Sequence, residues 1–152
     1  MILKKITIFG LFFILSIACH GQDMDLERIR TNYKQAVSDK KLCLAMIREL
    51  SVSPQNSLRM GYLGAFQMIW ATHVSNPFLK LRTFNRGKKK IDEAVIADPS
   101  NTEVRLIRLS VQTNSPSFLG YRTNIEEDKK IIQANYKNIT STILRDLMAS
   151  LI

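Results

Sequence analysis

The chain has 152 residues, with 22 Lys and Arg against 13 Asp and Glu, and a formal net charge of +9. Apolar residues make up 45% of it, enough for one packed core and too many for intrinsic disorder. Only 2 Cys and 6 Gly exclude a disulfide-stapled scaffold and a collagen-like repeat, so one domain is the expectation.

The segment 1–22 has the three parts of an export signal. Lys4 and Lys5 form a basic start, Ile6 to Ala18 is an apolar run, and small residues follow before a polar stretch from His20. The run is shorter than the roughly 20 apolar residues that cross a bilayer. It therefore reads as a cleaved signal, with a single domain over 23–152. Cleavage removes two of the 22 bases and none of the 13 acids, so the mature net charge is +7.

The rest of the chain has helical periodicity throughout. From Asp25, Leu26, Ile29, Tyr33 and Val37 recur at spacings of three and four, which marks one apolar helix face. Ser38 or Asp39 can cap a second helix whose inner face is Leu42, Met46, Ile47 and Leu50; Ser51-Val52-Ser53-Pro54 ends it. Cys43, between Leu42 and Leu44, reads as a small buried hydrophobe rather than a reactive thiol. A third helix over 57–72 is apolar on most sides and predicts the centre of a bundle; Gly61 and Gly64 share one of its faces and admit a close neighbour.

Asn76-Pro77 forces a turn and opens a fourth helix over 77–97, with Phe78, Leu81, Phe84, Ile91, Ala94 and Val95 expected inward. Asp98-Pro99-Ser100-Asn101 separates it from a fifth helix over 102–111, whose apolar side is Val104, Ile107 and Val111. Further helices over 124–136 and 140–152 follow the loop at 114–117. No alternating pattern is long enough for a sheet. The predicted fold is all-α, a small bundle of six to seven helices.

Three resemblances add expectations. Leu15-Ser16-Ile17-Ala18-Cys19 resembles a bacterial lipobox, which implies lipidation of Cys19 as the first mature residue, although Ser16 stands where that pattern prefers Leu. Ser16 and Ala18 equally suit the general signal peptidase, and a cut next to Gly21 or Gln22 is a third reading. Over 68–101, Ala94 five residues before Pro99 and the Asp98-Pro99-Ser100-Asn101 turn resemble a tetratricopeptide-repeat junction. On that likeness Gly87 and Ser75 take small-residue positions, Phe78 and Phe84 take aromatic ones, and the chain contains repeat-like helical hairpins. The mature region as a whole is similar to small exported proteins of Bacteroidota-type bacteria, which implies a place in the periplasm, on the outer membrane as a lipoprotein, or outside the cell.

Catalytic constellations are missing from the sequence. Its only histidines are His20, beside the cleavage region, and His73, which reads as a capping or half-buried residue at the end of the third helix. No phosphate loop, paired cysteines or serine elbow is present. The expectation is no enzyme, no cofactor and no metal. Two surface features stand out. Lys80, Arg82, Arg86, Lys88, Lys89 and Lys90 form a candidate interaction surface for an envelope protein or an anionic membrane, nucleic acid being excluded after export. Arg105 and Arg108, three apart, with Asp128 as an acid in reach, are either a structural ion pair or part of a groove. The expected function is a non-catalytic protein-interaction or assembly module of the cell envelope; the alternative is a lipid- or ligand-binding bundle with an apolar pocket near Tyr62, Phe66 and Trp70.

Overall fold

A computed structural model describes residues 26–152, and the export signal and Cys19 lie outside the described residues. The described chain is all-helical. It comprises α1 (26–35), α2 (Lys40–Val52), α3 (Ser57–Thr72), α4 (Pro77–Ala97), α5 (Thr102–Asn114), α6 (Ile125–Ala134) and α7 (Thr142–Ala149). Short 3-10 turns at Ser117–Leu119 and Tyr136–Asn138 link the last three helices.

Local chemistry explains the boundaries. Asp39 accepts hydrogen bonds from the Lys41 and Leu42 amides, both at 2.9 Å, and so opens α2. Asn56, Asn76 and Asn101 do the same for α3, α4 and α5 through the amides of Arg59, Leu79 and Val104, at 2.8, 3.0 and 3.1 Å. Each such cap is worth about 1 kcal/mol. Pro77 occupies the first helical turn of α4, where its missing N–H costs nothing. Asp98 closes the α4–α5 turn: its carboxylate accepts from Asn101 Nδ2 at 3.0 Å and its carbonyl from the Asn101 amide at 3.2 Å.

The α3–α4 hairpin is the closest helix pair, and glycine makes it so. A Cβ placed on Gly64 would lie 2.7 Å from the Gly87 carbonyl oxygen and 2.8 Å from Ile91. One placed on Gly87 would lie 2.5 Å from both the Gly64 carbonyl oxygen and Met68. The two backbones therefore touch, as the face shared by Gly61 and Gly64 predicts. Gly61 differs from them: its Cβ would make ordinary contacts of 3.6 and 3.7 Å with Ile107 and Ala94.

Around this hairpin the core is continuous. Ile29 and Tyr33 of α1, Cys43, Met46 and Leu50 of α2, and Ile107 and Val111 of α5 join Tyr62, Phe66, Phe84 and Ile91 in one apolar cluster. The far side of α5 presents Leu106 and Leu109 to Ile132, Ile139, Leu144 and Met148, so α6 and α7 close over it. Every residue from 104 to 112 is buried. The periodicity predicts one apolar side for α5, whereas the structure encloses it on all sides, with its arginines held inside by acids.

Leu42 and Ile47 are partly buried and pack against the core beside Cys43, Met46 and Leu50, as the inner face of α2 predicts. Two other expectations about inward residues are corrected. Val37 is 60% exposed because α1 stops at 35 and the turn that follows buries Ala36 instead. Phe78 and Leu81 are 85% and 48% exposed. At about 100° per residue, Phe78 stands about 120° round the helix from Phe84, and Leu81 about 60°, so neither shares the face that Phe84, Ile91 and Val95 bury.

Candidate functional site

Charged groups divide sharply between interior and surface. Asp128 has no solvent exposure and receives both faces of an arginine fork: Arg108 Nε donates to its Oδ2 and Arg108 Nη2 to its Oδ1, each at 2.7 Å. Arg105 Nη1 donates to the same Oδ1 at 3.0 Å and to Glu127 Oε1 at 2.7 Å, while Arg105 Nε donates to the Pro99 carbonyl at 2.9 Å. Burial works against the charge on Arg108, but its bonds to Asp128 and the nearby carboxylates outweigh that and hold it more firmly protonated than a free arginine. The hydrogen bond from Arg105, helped by one from Asn124, holds the Glu127 carboxyl below its ordinary value. Of the two readings for Arg105, Arg108 and Asp128, the geometry is that of a structural ion cluster. It ties α5 to α6, and both arginines are only 6% exposed.

A second internal network missing from the sequence reading joins α1, α3 and α5. Arg30 Nε and Nη2 reach the two oxygens of Glu103 at 2.8 and 2.5 Å, and the Tyr62 hydroxyl donates to Glu103 Oε1 at 2.6 Å. Arg30 and Glu103 are 73 positions apart, so only the folded arrangement reveals the pair. Beside it lies a shallow cleft of about 230 Å³ between the starts of α5 and α7, lined by Asn101, Glu103, Asn138, Ser141 and Leu144 among others.

The space around Tyr62, Phe66 and Trp70 is filled. Tyr62 and Phe66 are 1% and 0% exposed, and the Tyr33 ring meets them edge-on at 5.8 and 5.9 Å. Trp70 sits at the rim, under the Lys40 ammonium at 5.4 Å. His73 caps α3 and its Nε2 lies 2.9 Å from the Ala36 carbonyl, so it ties the α3 end to the α1–α2 turn. Cys43 is fully buried with its Sγ 3.3 Å from the Phe66 carbonyl, and burial pushes its thiol up to about 12. Among the described residues no group of three or more His, Cys, Asp or Glu could hold a metal ion, and no helix is long and apolar enough to cross a membrane.

The surface feature is α4. Its buried stripe is Phe84, Gly87, Ile91, Ala94 and Val95. Lys88 is drawn sideways into structure: it pairs with Asp92 at 3.1 Å and lies 5.0 Å over the Tyr121 ring, whose hydroxyl donates to the same Asp92 at 2.9 Å. Lys89 makes a loose exposed pair with Glu93 at 3.8 Å. No acid among the described residues lies within ion-pair distance of Lys80, Arg82, Arg86 or Lys90. The six cations singled out in the sequence thus separate into one structural lysine, one loosely paired lysine and four unpaired bases. Between and beside them stand large apolar side chains that the sequence reading placed inward or passed over. Phe78, Leu79, Leu81 and Ile96 are 85%, 43%, 48% and 77% exposed. Helical-wheel angle, rather than apolar identity alone, is the signal that separates these residues from the core.

Compared with protein-family models, with curated proteins and with solved structures, the chain has no match to any of them.

Proposed function

We propose that this chain is an exported, non-catalytic docking module of the cell envelope and that its working face is the outward side of α4. The observation that supports this most strongly is the contrast in charge pairing. Arg30, Arg105 and Arg108 are each satisfied by acids, whereas Lys80, Arg82, Arg86 and Lys90 have no ion-pair acid among the described residues and are gathered on one helix, where other such cations, Lys34, Lys41, Arg48 and Lys137 among them, are scattered over several elements. A set of cations gathered on one helix raises the local positive field and attracts an anionic partner, an effect that salt screens. The apolar signal at 1–22 and the small residues around Cys19 support export, and the lipobox-like Cys19 supports a lipid tether. In a tethered chain, the seven steps from Cys19 to Leu26 span at most about 25 Å, which keeps the domain close to its membrane. The Asp98-Pro99-Ser100-Asn101 turn and the close Gly64–Gly87 contact support kinship with repeat-type helical hairpins, a class of scaffold that serves protein assembly.

Two variants of equal net charge test the docking face. One replaces Lys80, Arg82, Arg86 and Lys90 with Gln; the other replaces Lys34, Lys41, Arg48 and Lys137, exposed cations on other elements. The proposal predicts that the α4 variant loses binding to soluble polyglutamate at least tenfold at low salt and that the control loses far less. Equal losses in the two variants would reduce the effect to net charge and overturn the proposal. Intact mass of the processed chain beside a Cys19→Ala variant tests the tether: an acylated mass beginning at Cys19 and absent from the variant is expected, and an unmodified mass would remove it.

A further inference from the structure

We propose that the anionic partner of α4 is a bilayer surface, on which the helix lies in the plane of the membrane with Phe78 and Phe118 sunk among the headgroups. The inference rests on the docking reading above and names its partner.

The argument starts from the pattern along the helix. Relative to Phe84, the side chains of Phe78, Arg82, Asn85, Lys89 and Ile96 leave α4 between about 100° and 160°, in one outward stripe. Leu79, Arg86 and Lys90 leave it on the adjoining side, between about −120° and −160°, while Lys80, at about −40°, stands off this face and is exposed in the first turn of the helix. The outward side therefore reads apolar, basic, apolar: Phe78 at one end, Arg82 and Lys89 in the middle, Ile96 at the other, over about 27 Å, with Glu93, at about 180°, as its acid, spanned by Lys89. A basic helix with apolar groups on the same face matches the chemistry of an anionic interface, where the cations meet headgroups and the apolar groups enter the acyl boundary.

A second exposed aromatic belongs to a segment that packs against α4. Phe118, 85% exposed, stands in the 3-10 turn at Ser117–Leu119. Three residues on, Tyr121 packs its ring edge-on against Phe84 at 6.2 Å, so Phe118 lies within about 10 Å of chain from α4. Gly120, at φ 65°, turns the backbone between them, which lets Leu119 and Tyr121 pack inward while Phe118 stays out. The start of α4 thus exposes Phe78, Leu79 and Leu81 beside Lys80 and Arg82, and the segment packed on the middle of the helix exposes Phe118.

Shape separates a membrane from an acidic protein. A protein partner gains most of its affinity where an anchor side chain fills a pocket. The outward side of a single helix is convex, and the cleft between α5 and α7 is lined by no residue of α4. A bilayer needs no pocket.

The test places a tryptophan at the proposed contact. Phe78→Trp, made with Trp70→Phe so that one indole reports, is reconstituted as the processed chain into phosphatidylcholine vesicles with and without phosphatidylglycerol. This readout is independent of any lipid at Cys19, because it follows the depth of position 78 alone. The expected result is a blue-shifted emission quenched by brominated acyl chains only when phosphatidylglycerol is present, and lost when Lys80, Arg82, Arg86 and Lys90 are Gln. An emission that stays solvent-like and unquenched in anionic vesicles would overturn the inference. If polyglutamate still bound through α4 in that case, the docking reading would stand with an acidic protein as partner; if it did not, both would fall. As a check on insertion, Phe78→Ser with Phe118→Ser, made in the Cys19→Ala chain so that no acyl anchor holds the protein, should weaken binding to phosphatidylglycerol vesicles at least tenfold and leave polyglutamate binding unchanged, and retained vesicle binding would count against the proposal.

Discussion

Asp128 shows at the scale of one residue why interior charge here is structural. Its carboxylate has no exposure and neutralises two arginines that are themselves buried. Removing the charge leaves two buried guanidinium groups with only the half-exposed Glu127 as counter-charge, a loss that costs about 3–5 kcal/mol. Asp128→Asn should therefore lower the urea midpoint steeply, while Glu127→Gln, at a half-exposed carboxylate, should cost less than about 1 kcal/mol. Acid should act in the same direction. Because the Glu127 carboxyl is held below its ordinary 4.5 in the folded chain, its stabilisation is complete above that value and is lost as pH falls through the lowered one. Urea midpoints should accordingly drop between neutral pH and pH below about 4, and the drop should be shallower in Glu127→Gln. Cys43 gives the alkaline counterpart. Burial raises its thiol to about 12 from an ordinary 9.0, so the folded chain disfavours the thiolate, and stability that is full below 9 declines as pH climbs towards 12. The native thiol should stay unreactive towards a disulfide reagent at pH 8 and react at once in urea.

Among the elements, the α3–α4 hairpin carries the clearest prediction, because three glycines on it differ in what surrounds them. Gly64→Ala and Gly87→Ala each push a methyl group into the backbone of the facing helix, and overpacking of that kind costs about 1–3 kcal/mol. Gly61→Ala meets only ordinary contacts and removes a helix-weakening glycine, so thermal unfolding should find it unchanged or stabilised by up to about 1 kcal/mol. This level was readable in the sequence. Asn and Asp caps, the Asn76-Pro77 break and the Gly61/Gly64 spacing are local signals, and the helices they define form where those signals place them. What failed was facing. Phe78 and Leu81 are apolar, and only their angle from Phe84 shows that they leave the core; Arg105 and Arg108 are charged, yet α6 supplies the acids that bury them. The Arg30–Glu103 pair lies beyond any local pattern, since its members meet only after α1 has folded back against α5. Cations on α4 were visible as a run, but their division into paired and unpaired depended on Asp92, Glu93 and Tyr121 taking their places.

The whole molecule is asymmetric in a way that its composition alone does not show. Among the described residues the buried bases are matched by acids, and of the exposed ones without an ion-pair acid four are gathered on the single 21-residue α4, while the others, Lys34, Lys41, Arg48 and Lys137 among them, are scattered over other elements. The bundle behind that helix is rigidly built, through touching backbones at Gly64 and Gly87 and ion clusters that tie α5 to α1 and α6. The backbone positions of the cations on α4 are thereby held relative to one another, which spares the backbone part of the ordering cost of binding. The central claim is that α4 is the face by which the chain meets its partner, and photo-cross-linking in the cells that make it tests this most directly. A photoreactive residue is placed at position 82 or 89 on α4 and, in separate chains, at position 34 on α1 or 41 on α2. Adducts of protein or lipid, resolved by mass, should form from 82 and 89 and not from 34 and 41. Adducts from α1 and α2 with none from α4 would contradict the claim.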